Sequence, residues 1–124
     1  GEDVVLINCR IDDQFQYLLS IGNHVTITGA TILTHDASTK RALGFTKCGR
    51  VDIGDNVFIG DGSVILPNTK IGNRVIVGAG AVVAKNIPDD SVVIGNPCKI
   101  ICSYDDYLFH MKEKFERGGA LQVS

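Results

Sequence analysis

Three histidines, His24, His35 and His110, are the side chains of this chain best placed to exchange a proton near neutrality. An ordinary imidazole titrates around pH 6.5 and can strip a proton from a hydroxyl held beside it. His35 stands out by position. It lies in the run Leu33-Thr34-His35-Asp36, at the edge of a long interruption in an otherwise regular sequence. A histidine there suits a general base, and it would also serve to cap a bend. Asp36 follows directly, but neighbours on extended backbone point to opposite sides, so it reads as a loop residue rather than an imidazole partner. His24 and His110 read as exposed structural residues.

The other residues able to do chemistry are less pointed. The four cysteines, Cys9, Cys48, Cys98 and Cys102, show neither a CxxC pair nor Cys/His ligand spacing, so they read as reduced thiols of a cytoplasmic protein. A three-histidine zinc site would need every histidine of the chain, and His110 falls in a segment of helical spacing, so no metal is expected. The net charge of −2 argues against a general nucleic-acid footprint. The 124 residues are 44% hydrophobic, and none of their apolar runs approaches the roughly 18 residues that span a bilayer. One soluble domain is expected.

The regularity that His35 interrupts is a period of six. From Ile53 to Pro88 the chain reads IGDNVF, IGDGSV, ILPNTK, IGNRVI, VGAGAV and VAKNIP, each unit opening on Ile or Val. The fifth positions are Val57, Ser63, Thr69, Val75, Ala81 and Ile87, small or β-branched in every unit. Neither the 3.6 period of a helix nor two-residue alternation explains this pattern. It predicts an all-β solenoid in which each unit supplies a short strand and a bend, and coils stack to bury aliphatic ladders.

Extending the register backwards gives Ile21, then Ile27 with Thr31, then Leu33. The next step, Leu33 to Ile53, is twenty residues, so about 39–52 is expected to leave the solenoid as a loop. Residues 1–20 are strand-like but off register and read as an irregular first coil. After Pro88 a partial coil through Ser91, Val93 and Ile94 precedes GNPCKII. Tyr104, Tyr107, Leu108, Met111 and Phe115 then follow helical spacing, with Ser103 and Asp106 as a capping pair and Gly118 as a stop.

The run IGDNVFIGDGSVILPNTKIGNRVIVGAGAVVAKNIP, with SVVIGNPCKII after it and the long loop after His35, resembles the left-handed β-helix O-acetyltransferases of the hexapeptide-repeat class. The resemblance is strongest to maltose and galactoside acetyltransferases and to those of surface-polysaccharide synthesis, and it covers roughly residues 4–102. It implies a left-handed parallel β-helix over 1–102 with a C-terminal helix over 103–118, packed on the last coil or on a neighbouring subunit. It further implies a homotrimer with active sites between subunits, acetyl-CoA as donor and a sugar hydroxyl as acceptor. Carried over residue by residue, His35 would be the general base and Asn8 would contact the acceptor, with Asp13 near the place of the family's acceptor carboxylate, where Gln16 stands instead. Asp61, Ala79, Ala84, Lys85 and Lys99 match coenzyme A contacts. Two departures are Asp61, where the family usually has a small neutral residue, and Cys102, where it often has a basic one.

Other hexapeptide proteins leave two alternatives: a zinc hydratase like the gamma carbonic anhydrases, or a solenoid used for assembly alone. Lys40, Arg41, Lys47 and Arg50 make the excursion basic, which suits a solvated loop or one that favours an anionic acceptor or the coenzyme phosphates.

Overall fold

Inward aliphatics recurring along the chain become the buried side of short strands, and the bends between them turn the chain through three parallel sheets. A computed structural model describes residues 1–11, 16–36, 38 and 40–118. The first coil is β1 (Val4–Ile7), β2 (Arg10–Ile11) and β3 (Leu19–Ile21), with one 3₁₀ turn over Gln16–Leu18. The second is β4 (Val25–Thr28) and β5 (Thr31–Ile32), then an excursion of β6 (His35–Asp36), α1 (Lys40–Leu43) and β7 (Lys47–Cys48), then β8 (Val51–Ile53). The third is β9 (Val57–Ile59), β10 (Val64–Ile65) and β11 (Thr69–Ile71). The fourth is β12 (Val75–Val77) and β13 (Val82–Val83), closed by a bridge from Ile87 to Ile71. The chain ends in β14 (Ser91–Ile94), β15 (Lys99–Ser103) and α2 (Tyr104–Glu116).

Each coil sends one strand to each sheet. The first sheet has the order β1-β4-β9-β12-β14-β15, the second β13-β10-β5-β2 and the third β11-β8-β3. Pairing is parallel throughout these sheets except for β15, which returns antiparallel on β14. The core is three aliphatic ladders. Ile27, Ile59, Val77 and Val93 stack in the first sheet, Ile32, Ile65 and Val83 in the second, and Ile21, Ile53, Ile71 and Ile87 in the third. All but Ile21 are buried, and each is worth about 1.5–3 kcal/mol relative to exposure. The fifth-position residues fill the corners. Ser63 and Thr69 are buried there with their hydroxyls donating to the Gly78 and Leu66 carbonyls.

A polar ladder runs along the corner between the third and first sheets. The Asn23, Asp55, Asn73 and Asp89 side chains accept from the backbone N–H of Glu2, Asn23, Asp55 and Asn73 in turn, at 2.7–2.8 Å. Each side chain thus ties its coil to the one before. The residue after this position is left-handed in every coil, at Asp3, His24, Asn56, Arg74 and Asp90, with φ between 54° and 59°.

Four sequence expectations are corrected. The second coil takes five residues, not six, from Ile27 to the next inward aliphatic, so Ile32 rather than Leu33 and Ala30 rather than Thr31 face inward. The first coil is in register: β1 pairs with β4, β2 with β5 and β3 with β8, and it uses the same five-residue step from Leu6 to Ile11. The excursion begins at His35 and closes where Gly49 N–H donates to the Thr34 carbonyl at 2.9 Å, so Val51 and Asp52 lie inside the coil. Ile87, expected at a fifth position, instead stacks on the opening residue Ile71, so the last step of the fourth coil is four residues from Val83.

The terminal helix forms as expected. Ser103 caps it by accepting from Asp106 N–H at 3.1 Å, and Gly118 turns the chain at φ 94°. Arg74 fastens it to the coils, lying 4.9 Å over the Tyr104 ring and bonding both Asp90 and Asp105. Among the described residues no helix is long and apolar enough to cross a membrane.

Candidate functional site

His35 opens the excursion because the chain cannot keep to the coil there. Leu33 still bonds to the coil below, its N–H donating to Ile65 O at 2.9 Å, and Thr34 is buried at the base of the hairpin. His35 then pairs with Cys48 across the β6–β7 ladder and is half-buried. It lines a cavity of about 240 Å³ with Arg10, Ile11, Thr31, Ile32 and Leu33. Arg10 and Thr31 are register partners on the outer side of the second sheet, one residue before the inward Ile11 and Ile32.

From this cavity the outer face of the second sheet continues through Thr31, Val64 and Val82, half-buried side chains on adjacent strands. Adjacent strands lie about 4.8 Å apart, so this face is roughly 10 Å from β5 to β13. Along its edge toward the third sheet, Leu33, Leu66 and Ala84 follow one another in successive coils. Leu33 N–H donates to Ile65 O, and Leu66 N–H to Val83 O. The expected donor residues Ala84 and Lys85 therefore share an edge with His35, two coils away.

Cys98 sits beside them, buried, with its N–H donating to Val82 O at 3.1 Å. Burial pushes its thiol above the usual range, while the Lys85 ammonium and the Ala84 backbone N–H pull the other way. Lys99 follows it at the start of β15, exposed. Asp61 and Ala79 occupy the opposite edge, between the first and second sheets. The Asp61 carbonyl accepts from Gly80 N–H at 2.9 Å, and its carboxylate lies over Gly29. Asp61 and Ala79 thus stand on the opposite edge of the second sheet from Ala84 and Lys85, while Lys99 pairs with Ile94 in the first sheet.

Asn8 adopts φ 50° at the corner between the first and second sheets, a conformation a short amide tolerates. It lines a mouth of about 970 Å³ beside the first coil, which includes Leu6, Cys9 and Ile21. His35 does not line that mouth. Arg10 and Ile11 line both spaces and connect them. Asp13 lies outside the described residues. Arg10 was missed in the sequence because the first coil was read as off register; the LINCRI segment aligned with ITGATI would have set Arg10 beside Thr31.

The remaining histidines are apart from this site. His24 Nδ1 lies 2.9 Å from Asp3 Oδ2 at an exposed corner, and His110 is on α2 near Glu113. Within the one chain the three histidines are not gathered, and among the described residues no group of three His, Cys, Asp or Glu side chains is placed to hold a metal. The basic character of the excursion is also reduced. Arg50 turns to Asp52 of β8 at 3.0 Å, while Lys40 and Arg41 are exposed on α1.

Residues 50–85 match the family described as bacterial transferase hexapeptide (six repeats). Protein CapG of Staphylococcus aureus is 50% identical over 96 residues, covering 73% of this chain and 56% of that protein. A maltose O-acetyltransferase from Clostridium difficile 630 superposes with a TM-score of 0.64 at 33% identity, covering 81% of this chain and 65% of that one. A galactoside acetyltransferase solved in complex with coenzyme A gives a TM-score of 0.69 at 30% identity, covering 86% of this chain and 58% of that one. The chain spans between half and two thirds of the length of each of these three proteins.

Proposed function

Residues 50–85 are hexapeptide repeats of the bacterial transferase type, and from that premise we propose that the protein is an acetyl-CoA-dependent O-acetyltransferase acting on a hydroxyl of a sugar or saccharide precursor. The observation that carries this reading is the place of His35, at the rim of a cavity and on the same edge of the second sheet as Ala84 and Lys85. The coils wind left-handed in this reading, with the acyltransferase domain over 1–102 and the helix over 103–118 closing its end.

In the reaction, His35 accepts the proton of the acceptor hydroxyl as that oxygen attacks the thioester carbonyl. It holds the proton while negative charge rests on the carbonyl oxygen, then returns it to the leaving thiolate of coenzyme A. General-base assistance of this kind contributes about 10²–10⁴-fold. A backbone N–H is the suitable partner for the developing oxyanion, since the Asp61 carboxylate is folded over Gly29. Lys85 and Lys99 meet the coenzyme phosphates as point charges.

The division of the donor residues over two edges supports a homotrimer. A groove that uses Asp61 and Ala79 from one copy can be completed by Ala84 and Lys85 of another, with the excursion of one copy covering the junction.

Release of free thiol from acetyl-CoA in the presence of a panel of free and nucleotide-linked sugars tests the function. Acceptor-dependent thiol release, with an acetylated sugar found by mass spectrometry, is the expected result. Thiol release that no sugar stimulates would overturn it.

A further inference from the structure

Arg10 reaches the His35 cavity from the neighbouring coil. It shares that space with His35 and Thr31, and the rest of the lining is Ile11, Ile32 and Leu33. Its strand, β2, is the edge strand of the second sheet among the described residues. Arg50, Arg74 and Arg117 each lie against a carboxylate, whereas among the described residues none is ion-paired to Arg10 in this cavity or to Arg41 on the exposed α1.

A guanidinium keeps its charge at any physiological pH and offers a planar fork of N–H groups. The ligand group that fits it is a carboxylate or phosphate, which can accept two parallel hydrogen bonds. The cavity, about 240 Å³, is smaller than the roughly 300–1,000 Å³ of complete small-molecule pockets, so it takes one end of a ligand. That end presents a hydroxyl to His35 and an anion to Arg10.

We propose that Arg10 is a specificity-determining residue that selects anionic saccharide acceptors, those carrying a carboxylate or phosphate near the hydroxyl to be acetylated. The proposal rests on the acetyl-transfer reading. It explains why the strand partner of Thr31 is an arginine on an outer face whose next two positions are Val64 and Val82.

The test compares glucose, glucuronate and glucose 6-phosphate as acceptors for the wild type, Arg10→Gln and Arg10→Lys, together with calorimetric binding of each sugar in the absence of acetyl-CoA. In the wild type at least one anionic sugar has a kcat/KM about tenfold or more above glucose, the size expected for one charge-assisted contact. Which anion is favoured separates carboxylate from phosphate recognition. Arg10→Gln removes the advantage through KM, lowering kcat/KM for the anionic sugar about tenfold more than for glucose, and Arg10→Lys restores part of it. Equal use of neutral and anionic sugars by the wild type, or an equal effect of Arg10→Gln on both, overturns the proposal. If no sugar is acetylated but the anions bind the wild type and not Arg10→Gln, the transfer reading falls and the role of Arg10 stands. Anion binding that is the same in both proteins removes that role whatever the turnover.

Discussion

His35 and Cys48 face each other as register partners of the two-stranded ladder at the base of the excursion. Directly opposed residues of an antiparallel pair have Cβ atoms about 4.5–5.5 Å apart, so the exposed Cys48 thiol is a neighbour of the imidazole. Alkylating Cys48 with N-ethylmaleimide should place a bulky adduct beside the base and stop acetyl transfer. Cys48→Ser should stay active after the same treatment, as measured by thiol release from acetyl-CoA. Inactivation of both proteins to the same degree would place the sensitive thiol elsewhere.

The contact between Gly29 and Asp61 makes a stability prediction. Gly29 is at φ 62°, and a Cβ there would stand 1.6 Å from Asp61 Oδ1. Gly29→Ala should cost at least about 1–2 kcal/mol from the left-handed backbone alone, with the clash adding to it. In an Asp61→Ala background the same substitution should cost less, because the carboxylate is gone. Urea denaturation of the four proteins measures the coupling. Costs that simply add would show that the clash contributes nothing.

Much of this architecture was legible in the sequence because the period of six runs on from Ile53, and as far as Val83 the inward residues fell where the repeat put them, whereas Ile87 moved from a fifth position to the ladder of Ile71. The second coil was harder. In Ile27-Thr28-Gly29-Ala30-Thr31-Ile32-Leu33, two adjacent frames both offer a small or β-branched corner residue followed by an aliphatic. Only the folded corner decides between them. The third coil turns through Gly60-Asp61-Gly62, whereas the second turns through Thr28-Gly29 with Gly29 at positive φ and is one residue shorter. The same shortening in the first coil hid its register, and with it Arg10. His35 was visible because a break in a strict repeat marks itself. The hairpin that holds it was not, since β6 and β7 are two residues each and carry no periodic signal.

Lys85 and Lys99 supply the prediction for the donor. Replacing both by alanine should raise KM for acetyl-CoA about tenfold, with the acceptor KM unchanged and the effect shrinking as salt is added. Steady-state kinetics at two ionic strengths checks this. An unchanged donor KM would leave the two lysines as solvated surface charges.

Cys98 gives a pH dependence. Burial raises its thiol above the ordinary value of 9.0, so the folded state holds a proton that the unfolded chain releases first. Its contribution to stability is complete below pH 9 and is lost as pH climbs through the raised value. Chemical denaturation from pH 8 to 11 should show a downward slope that Cys98→Ala lessens. The same slope in both proteins would assign the loss to other groups.

The general base is the centre of this account, and His35→Ala addresses it alone. Single-turnover acetyl transfer from bound acetyl-CoA to an accepted sugar, at saturating concentrations of both, should slow by about 10²–10⁴-fold in the variant while its affinity for acetyl-CoA stays the same. A variant that transfers acetyl at the wild-type rate would contradict the assignment of His35 and the mechanism built on it.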